Sequence, residues 1–357
     1  MCCNIWRNSA IISLQKTTHL DVLMKNTNLL FEYNVEKTVN VSMKHQKCII
    51  KCHSKILTGD GLLHIVKSIN GIAAKYPTLK PLIIIDFGQI MMADKLVYIM
   101  LEEICLSIVR DLGFLLRIKI QVTRNVIANG FDENPLKLLT GNGNVADQCR
   151  RFVESCELPL SSTRNHYRQI VSGKESDESE IFCTIMSEVR KFLQVYYGDI
   201  ERIEQIAEIV VELCGNAWEH TRSDCLIDMD AADDYLRIDS DEQFGCINIA
   251  ILNLCKNLIG DDLHKKLLCS DLNELGERYL SVSEAYEKHK EKFNVLYTEE
   301  AFYGIAAFQD KVSGRPGKDI TGGTGLPQLI KSLERGFENL ICYCCSGHTV
   351  IFFDPEV

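Results

Sequence analysis

The run Leu82-Ile83-Ile84-Ile85-Asp86-Phe87, set between two stretches of helical periodicity, most narrows what this chain can become. A short, nearly continuous apolar run is expected of a strand buried on both faces, as inside a parallel sheet. Before it, Leu62, Ile65, Val66, Ile69 and Ile72 recur at helical spacing up to Pro77. After it come a turn at Gly88, a long helix over about 94–112, and a strand, Arg117-Ile118-Lys119-Ile120-Gln121-Val122. Helix, strand, helix and strand in that order make an α/β unit around a mostly parallel sheet.

At 357 residues the chain is long for one compact domain and suits two. Residues 1–58 are polar and weakly periodic, and 124–182 hold most of the breakers, including Gly130, Pro135, Gly141 and Pro159. A domain junction is expected there. The reading is a segment 1–58 without assigned structure, a small α/β domain over 59–155, and a second domain over 178–357. No stretch approaches the ~18 uncharged apolar residues of a membrane span. The N-terminus lacks the apolar core of a secretory signal, so a cytoplasmic protein is expected.

A net charge of −10 argues against sequence-independent nucleic-acid binding, which needs clustered cations. The one basic segment, Lys44 to Lys55, reads as a solvated edge strand whose lysines discourage pairing. The acidic residues of 224–242 read as a solvated hairpin. The sixteen cysteines lack zinc-site spacing, and alternation along Cys342-Tyr343-Cys344-Cys345 would send the thiols to opposite faces. They read as small buried hydrophobes.

In the second half, a helix over 178–197 leads to another capped by Asp199, with Ile203, Ile206, Ala207, Val210, Cys214 and Ala217 as its buried stripe. Strands are expected near 225–229 and 244–253, helices over 261–294 and 299–310, and a closing strand pair over 338–345 and 348–353. Beside the buried stripe stand Glu212, Asn216, Glu219 and His220. Glu212 and Asn216 are one turn apart on the same side of the helix. A helix-borne carboxamide can give a largely hydrated magnesium ion one oxygen, and a carboxylate one turn away can activate water. The glycine turn Gly322-Gly323-Thr324-Gly325-Leu326 feeds a helix N-terminus, a backbone arrangement that cradles phosphate.

These motifs, in this order, carry a resemblance. Glu212-x3-Asn216-Ala217-x2-His220 resembles the N-box of the Bergerat-fold (GHKL) ATPases, the superfamily of gyrase and sensor histidine kinases. Gly322 to Leu326 is similar to its second glycine box, and Ser346-Gly347-His348-Thr349 to the glycine–threonine turn near the domain's end. The resemblance implies an α/β sandwich over 178–357 that binds ATP and Mg2+ under a mobile lid. By position, Glu212 would activate water and Asn216 would hold magnesium. Gly322, Gly323, Thr324, Gly325 and Leu326 would surround the phosphates, with His220, Gly347 and Thr349 completing the nucleotide site. For His220 a helix-end cap is preferred over a phosphate contact. Arg315 and Lys318 reach the γ-phosphate or belong to a solvated loop, and Trp218 reads as core or interface.

One box departs from the pattern. Where the superfamily has Asp-x-Gly-x-Gly, this chain has Asn253-Leu254-Cys255-Lys256-Asn257. The carboxylate of that box accepts the adenine amine. Asn253 can accept it through its carbonyl, whereas Cys255 tolerates a left-handed glycine conformation poorly. The strand at Ile83–Phe87 with the helix from Asp94 is similar to STAS-like domains that accompany such ATPases. No phospho-accepting H-box is present, and Gly317-Lys318-Asp319 is not a P-loop. The expectation is a switch protein with slow ATP hydrolysis, in a signalling or defence setting, acting on a protein partner or a second copy. The alternatives are a protein serine kinase of anti-sigma type and a non-hydrolysing pseudo-ATPase scaffold.

Overall fold

The computed structural model describes residues 43–44, 46–52, 54–92, 94–122, 134–157, 166–171, 178–221, 223–236, 243–269, 276–309 and 342–353. They form a mixed α/β structure in two compact units, 1–174 with 223–254, and 175–222 with 255–357. The strands read near 225–229 and 244–253 therefore cluster with the first unit.

The first unit is organised by the run that opens its sequence pattern. Strand β4 (Leu82–Met92) pairs in parallel with β2 (Lys47–Lys51), β3 (Ile56–Leu57) and β5 (Leu116–Val122), and β1 (Met43–Lys44) adds an antiparallel turn onto β2. Ile83, Ile85 and Phe87 are at most 1% exposed, which is why so apolar a strand takes the centre. Helix α1 (Gly59–Lys75) buries the stripe Leu62, Ile65, Val66, Ile69 and Ile72 read from its spacing. Helix α2 (Lys95–Leu106) starts where the Asp94 carboxylate accepts the Val97 N–H at 2.8 Å, and a π turn over Ser107–Asp111 ends it. The lysine-rich segment forms β2, paired with β4 along its length and with β1 only at Lys47 and Cys48, with Cys48 and Ile50 buried and Lys47 and Lys51 exposed.

Residues 134–157, read as part of a domain junction or its margin, hold a 3-10 turn (Pro135–Thr140) and helix α3 (Val145–Glu157). Cys149, Phe152 and Cys156 are buried at helical spacing on α3. The turn residues around Pro135 and Gly141 obscure this short amphipathic helix. Strand β6 (His166–Val171) follows and forms an antiparallel sheet with β7 (Cys225–Leu236) and β8 (Gln243–Asn253). The acidic hairpin is real, but it is not solvated throughout, since Asp228 and Asp230 are at most 1% exposed.

In the second unit, α4 (Glu178–Gln194) and α5 (Ile200–Thr221) make a hairpin closed on Ile185, Val189, Phe192, Leu193, Ile203, Ala207, Val210 and Cys214. Asp199 caps α5 by accepting the Arg202 N–H at 3.3 Å. Helices α6 (Asp261–Cys269), α7 (Glu277–His289) and α8 (Glu299–Ala307) enclose an aromatic core of Tyr279, Phe302 and Tyr303 with Tyr286, Phe293 and Tyr297 around it. The hairpin β9 (Cys342–Ser346) and β10 (Thr349–Phe353) closes the described chain. Among the described residues, no helix is long and apolar enough to cross a membrane.

Candidate functional site

On α5 the buried stripe fixes the rotation of the helix and thereby the polar positions beside it. Glu212 is exposed, and Asn216, one turn further on, is half-buried. A Cβ on Gly215 would lie 3.8 Å from Phe182 Cζ, an ordinary contact, so the residue before Asn216 faces α4. His220 lies in the last turn of α5. Gly322, Gly323, Thr324, Gly325 and Leu326, with Arg315 and Lys318, lie outside the described residues.

Asn253 ends β8. Its Nδ2 donates to Ser223 Oγ at 2.7 Å and to the Asp224 carbonyl at 3.0 Å. A carbonyl only accepts, so the atom facing Asp224 is the amide nitrogen, and Oδ1 is left as the acceptor. No group of three or more His, Cys, Asp or Glu among the described residues is placed to hold a metal ion. A magnesium ion bound mainly through phosphate and water needs no such cluster, and one carboxamide at Asn216 fits it.

The segment after Asn253 solves its backbone problem without the missing glycines. Among the described residues, Gln46 is the only non-glycine with a left-handed φ, so Cys255 and Asn257 carry no such strain. The turn is held by other groups: the Cys255 thiol on the Asn257 carbonyl at 3.1 Å, the Leu258 N–H on Asp261 at 3.1 Å, and the Ile259 N–H on Ser346 Oγ at 2.9 Å. Gly260 takes the left-handed conformation, φ 96°, and a Cβ there would lie 2.6 Å from the Tyr303 carbonyl carbon.

At the far turn, Gly347 has φ 56° and Thr349 opens β10. A carboxylate that the sequence reading missed organises both. Glu300, in the first turn of α8, accepts the His348 N–H at 2.7 Å and the Thr349 hydroxyl at 3.3 Å through one oxygen. A Cβ on Gly347 would meet that oxygen at 2.4 Å. Nothing in the sequence distinguishes Glu300 from Glu299, because only the chain reversal of β9 and β10 brings the turn to it.

A buried polar assembly in the first unit is also absent from the sequence reading. Strand alternation puts His166 and Arg168 on one face of β6, and register sets them opposite Asp230 and Asp228 of β7. Helix α2 supplies Lys95 and Glu102, two turns apart, to the same cluster. Lys95 Nζ lies 2.5 Å from Asp230, Arg168 Nη1 lies 3.1 Å from Asp228 and 2.8 Å from Glu102, and His166 Nε2 lies 2.9 Å from Asp228. Asn134 donates to Glu102 at 2.5 Å and Asn248 to Asp230 at 2.7 Å. Burial alone would lower the Lys95 pKa, but Asp228 and Asp230 overcome it and hold it above the ordinary value. Burial would raise the Asp228 carboxyl, yet Lys95, the His166 hydrogen bond and Arg168 hold it well below the usual carboxylate range. The paired charges fasten α2 to the β6–β8 sheet.

No family model, curated protein or solved structure matches this chain.

Proposed function

We propose that this chain is a magnesium-dependent ATP-binding protein whose lid closes over the nucleotide, with slow hydrolysis resetting the switch. The observation that carries the reading is the register of α5, which sets Glu212 and Asn216 one turn apart on one side of the helix. Separately, Asn253 spends its amide hydrogens on Ser223 and Asp224 and keeps a carbonyl oxygen that can accept an amine. Asn216 would hold the magnesium ion, which when bound neutralises phosphate charge. Glu212, exposed one turn earlier on α5, would take the proton from the attacking water. A nucleotide that binds the closed state better than the open one shifts the population toward it. The closed state would in turn present a surface to a protein partner or to a second copy of the chain.

Calorimetry of the full chain with ATP, ADP and GTP in magnesium tests the reading. ATP heats that disappear in Asn216→Ala, together with turnover lost in Glu212→Ala at unchanged ATP affinity, are the expected results. Unchanged hydrolysis in Glu212→Ala removes the mechanism. A second reading, a non-hydrolysing scaffold, is favoured by the turn after Asn253, where Cys255 and Asn257 stand at the glycine positions of the box and Asp261 and Ser346 side chains hold the Leu258 and Ile259 amides just beyond it. Silence toward all three nucleotides selects it.

A further inference from the structure

The first unit holds a second polar site, unrelated to the motifs above. Parallel ladders seldom carry a bulge, yet the β4–β5 register slips between Asp86 and Gly88. Gly88 has φ 60°, and its N–H is held by the Asp86 carboxylate at 3.2 Å. The slip brings Gln89 opposite Gln121, and a shallow, open depression of about 420 Å³ lies over these residues of the two strands. That volume is in the range of small-molecule sites.

The polar side chains that line the cleft are two cations, three carboxamides and a hydroxyl. Alternation along β5 puts Arg117, Lys119 and Gln121 on the same face, and Thr140 and Asn142 of the following turn belong to the lining with Gln89. Arg117 is fixed in place: its Nη2 donates to the Gly143 carbonyl at 3.1 Å. Its Nε is buried and meets no acceptor among the described residues. A buried guanidinium N–H without an acceptor is costly, and an oxygen entering the cleft, from a ligand or from water, would satisfy it. Lys119, 55% exposed, reaches Asp86 only at 3.9 Å, so its charge is not consumed there. Two cations against one carboxylate leave the cleft positive. A planar guanidinium with an ammonium two residues away matches a phosphate group, and the carboxamides match hydroxyls on what the phosphate is attached to.

We infer that this cleft binds a small phosphomonoester, with Arg117 and Lys119 on the phosphate and Gln89, Gln121 and Asn142 on its hydroxylated body. The occupant carries no requirement for adenine or magnesium, which separates the site from the ATP reading.

The test is calorimetry of the full chain, without magnesium, against inorganic phosphate and against glucose 6-phosphate. Both saturate in the millimolar range or tighter, and the ester binds more tightly than the free ion. Arg117→Gln and Lys119→Gln each weaken binding by about tenfold or more, the scale of a lost charge-assisted hydrogen bond. Lys47→Gln, on the same sheet but outside the cleft lining, and Asn216→Ala leave both affinities unchanged. A circular dichroism spectrum and urea midpoint matching wild type show that Arg117→Gln has kept its fold. The inference is overturned if neither probe saturates, if Lys47→Gln weakens binding as much as Arg117→Gln, or if a folded Arg117→Gln binds like wild type.

Discussion

The ammonium of Lys95 lies 2.6 Å from a carboxylate oxygen of Asp228, with both side chains at most 4% exposed. One comes from the start of a helix and the other from a strand 133 residues later, at the positions that Asp94 capping and β-sheet register assign them. Buried pairs of this kind add little beyond an apolar replacement of equal shape, but breaking one strands a charge.

Lys95→Met should therefore cost about 3–5 kcal/mol of unfolding free energy, because Asp228 and Asp230 lose their common cation. Adding Asp230→Asn should recover part of that loss. Urea midpoints of the two variants measure it; a single-variant loss below about 1 kcal/mol, as for a solvent-exposed pair, contradicts the assignment.

Asp228 also sets an acid limit. Its folded pKa is depressed below the ordinary 3.8, with burial opposed and outweighed by Lys95, His166 and Arg168. A depressed carboxyl contributes stability that is present above its unfolded pKa and lost as pH falls through the folded one. Asp228→Asn should flatten the stability profile below about pH 4 while lowering the plateau at neutral pH. A variant whose acid limb parallels that of wild type removes Asp228 from the cause.

Glu103 acts in the opposite sense. Burial first, then the neighbouring Glu102 charge, pushes its carboxyl from 4.5 up to about 7. The stability this group confers is complete below pH 4.5 and is lost as pH rises through about 7. Glu103→Gln should gain on wild type by on the order of 2 kcal/mol at pH 8, less than the full shift implies because the side chain is only half-buried. Equal differences at pH 4.5 and pH 8 in thermal melts would count against the shift.

Gly260→Ala should destabilise the second unit by about 1–3 kcal/mol, since the left-handed backbone and the Tyr303 main chain both oppose a Cβ. Gly59→Ala is the matched control: nothing lies within 4 Å of its Cβ position, and it starts α1. Denaturant unfolding distinguishes them, and equal effects would remove the steric argument.

Placing an acid at the strand end should harm rather than help. Asn253→Asp turns a donor toward the Asp224 carbonyl, 3.0 Å away, into a second acceptor. The cost is about 1–3 kcal/mol, with no gain in nucleotide affinity. Tighter ATP binding in Asn253→Asp, measured beside its urea midpoint, would show that the carbonyl orientation is not what matters.

Much of the fold was legible from periodicity. The α1 stripe from Leu62 to Ile72, the central strand around Ile83–Phe87, the helix from Asp94, the Asp199 cap, and the β9–β10 strand pair each follow from local sequence signals. Helix α3 was hidden because the turn residues around it dominate its composition, although Cys149, Phe152 and Cys156 keep a helical interval. Of the expected site, the helical register of Glu212 and Asn216 was readable, because 3.6 residues per turn needs no tertiary information.

The charges behaved differently. Asp228 and Asp230 have the composition of a solvated hairpin, and Lys95 that of a surface helix start; burial of all three depends on β6 pairing with β7 beneath α2. The same holds for Glu300 against the Gly347 turn, for the amide of Asn253 held by Ser223 and Asp224, and for Arg117 beside its cleft. Sequence alone determined which residues share a face of a helix or strand, since local geometry repeats every few residues. Tertiary structure decided which polar faces meet and lose their water, because the free energy of a charge depends on partners brought from distant parts of the chain.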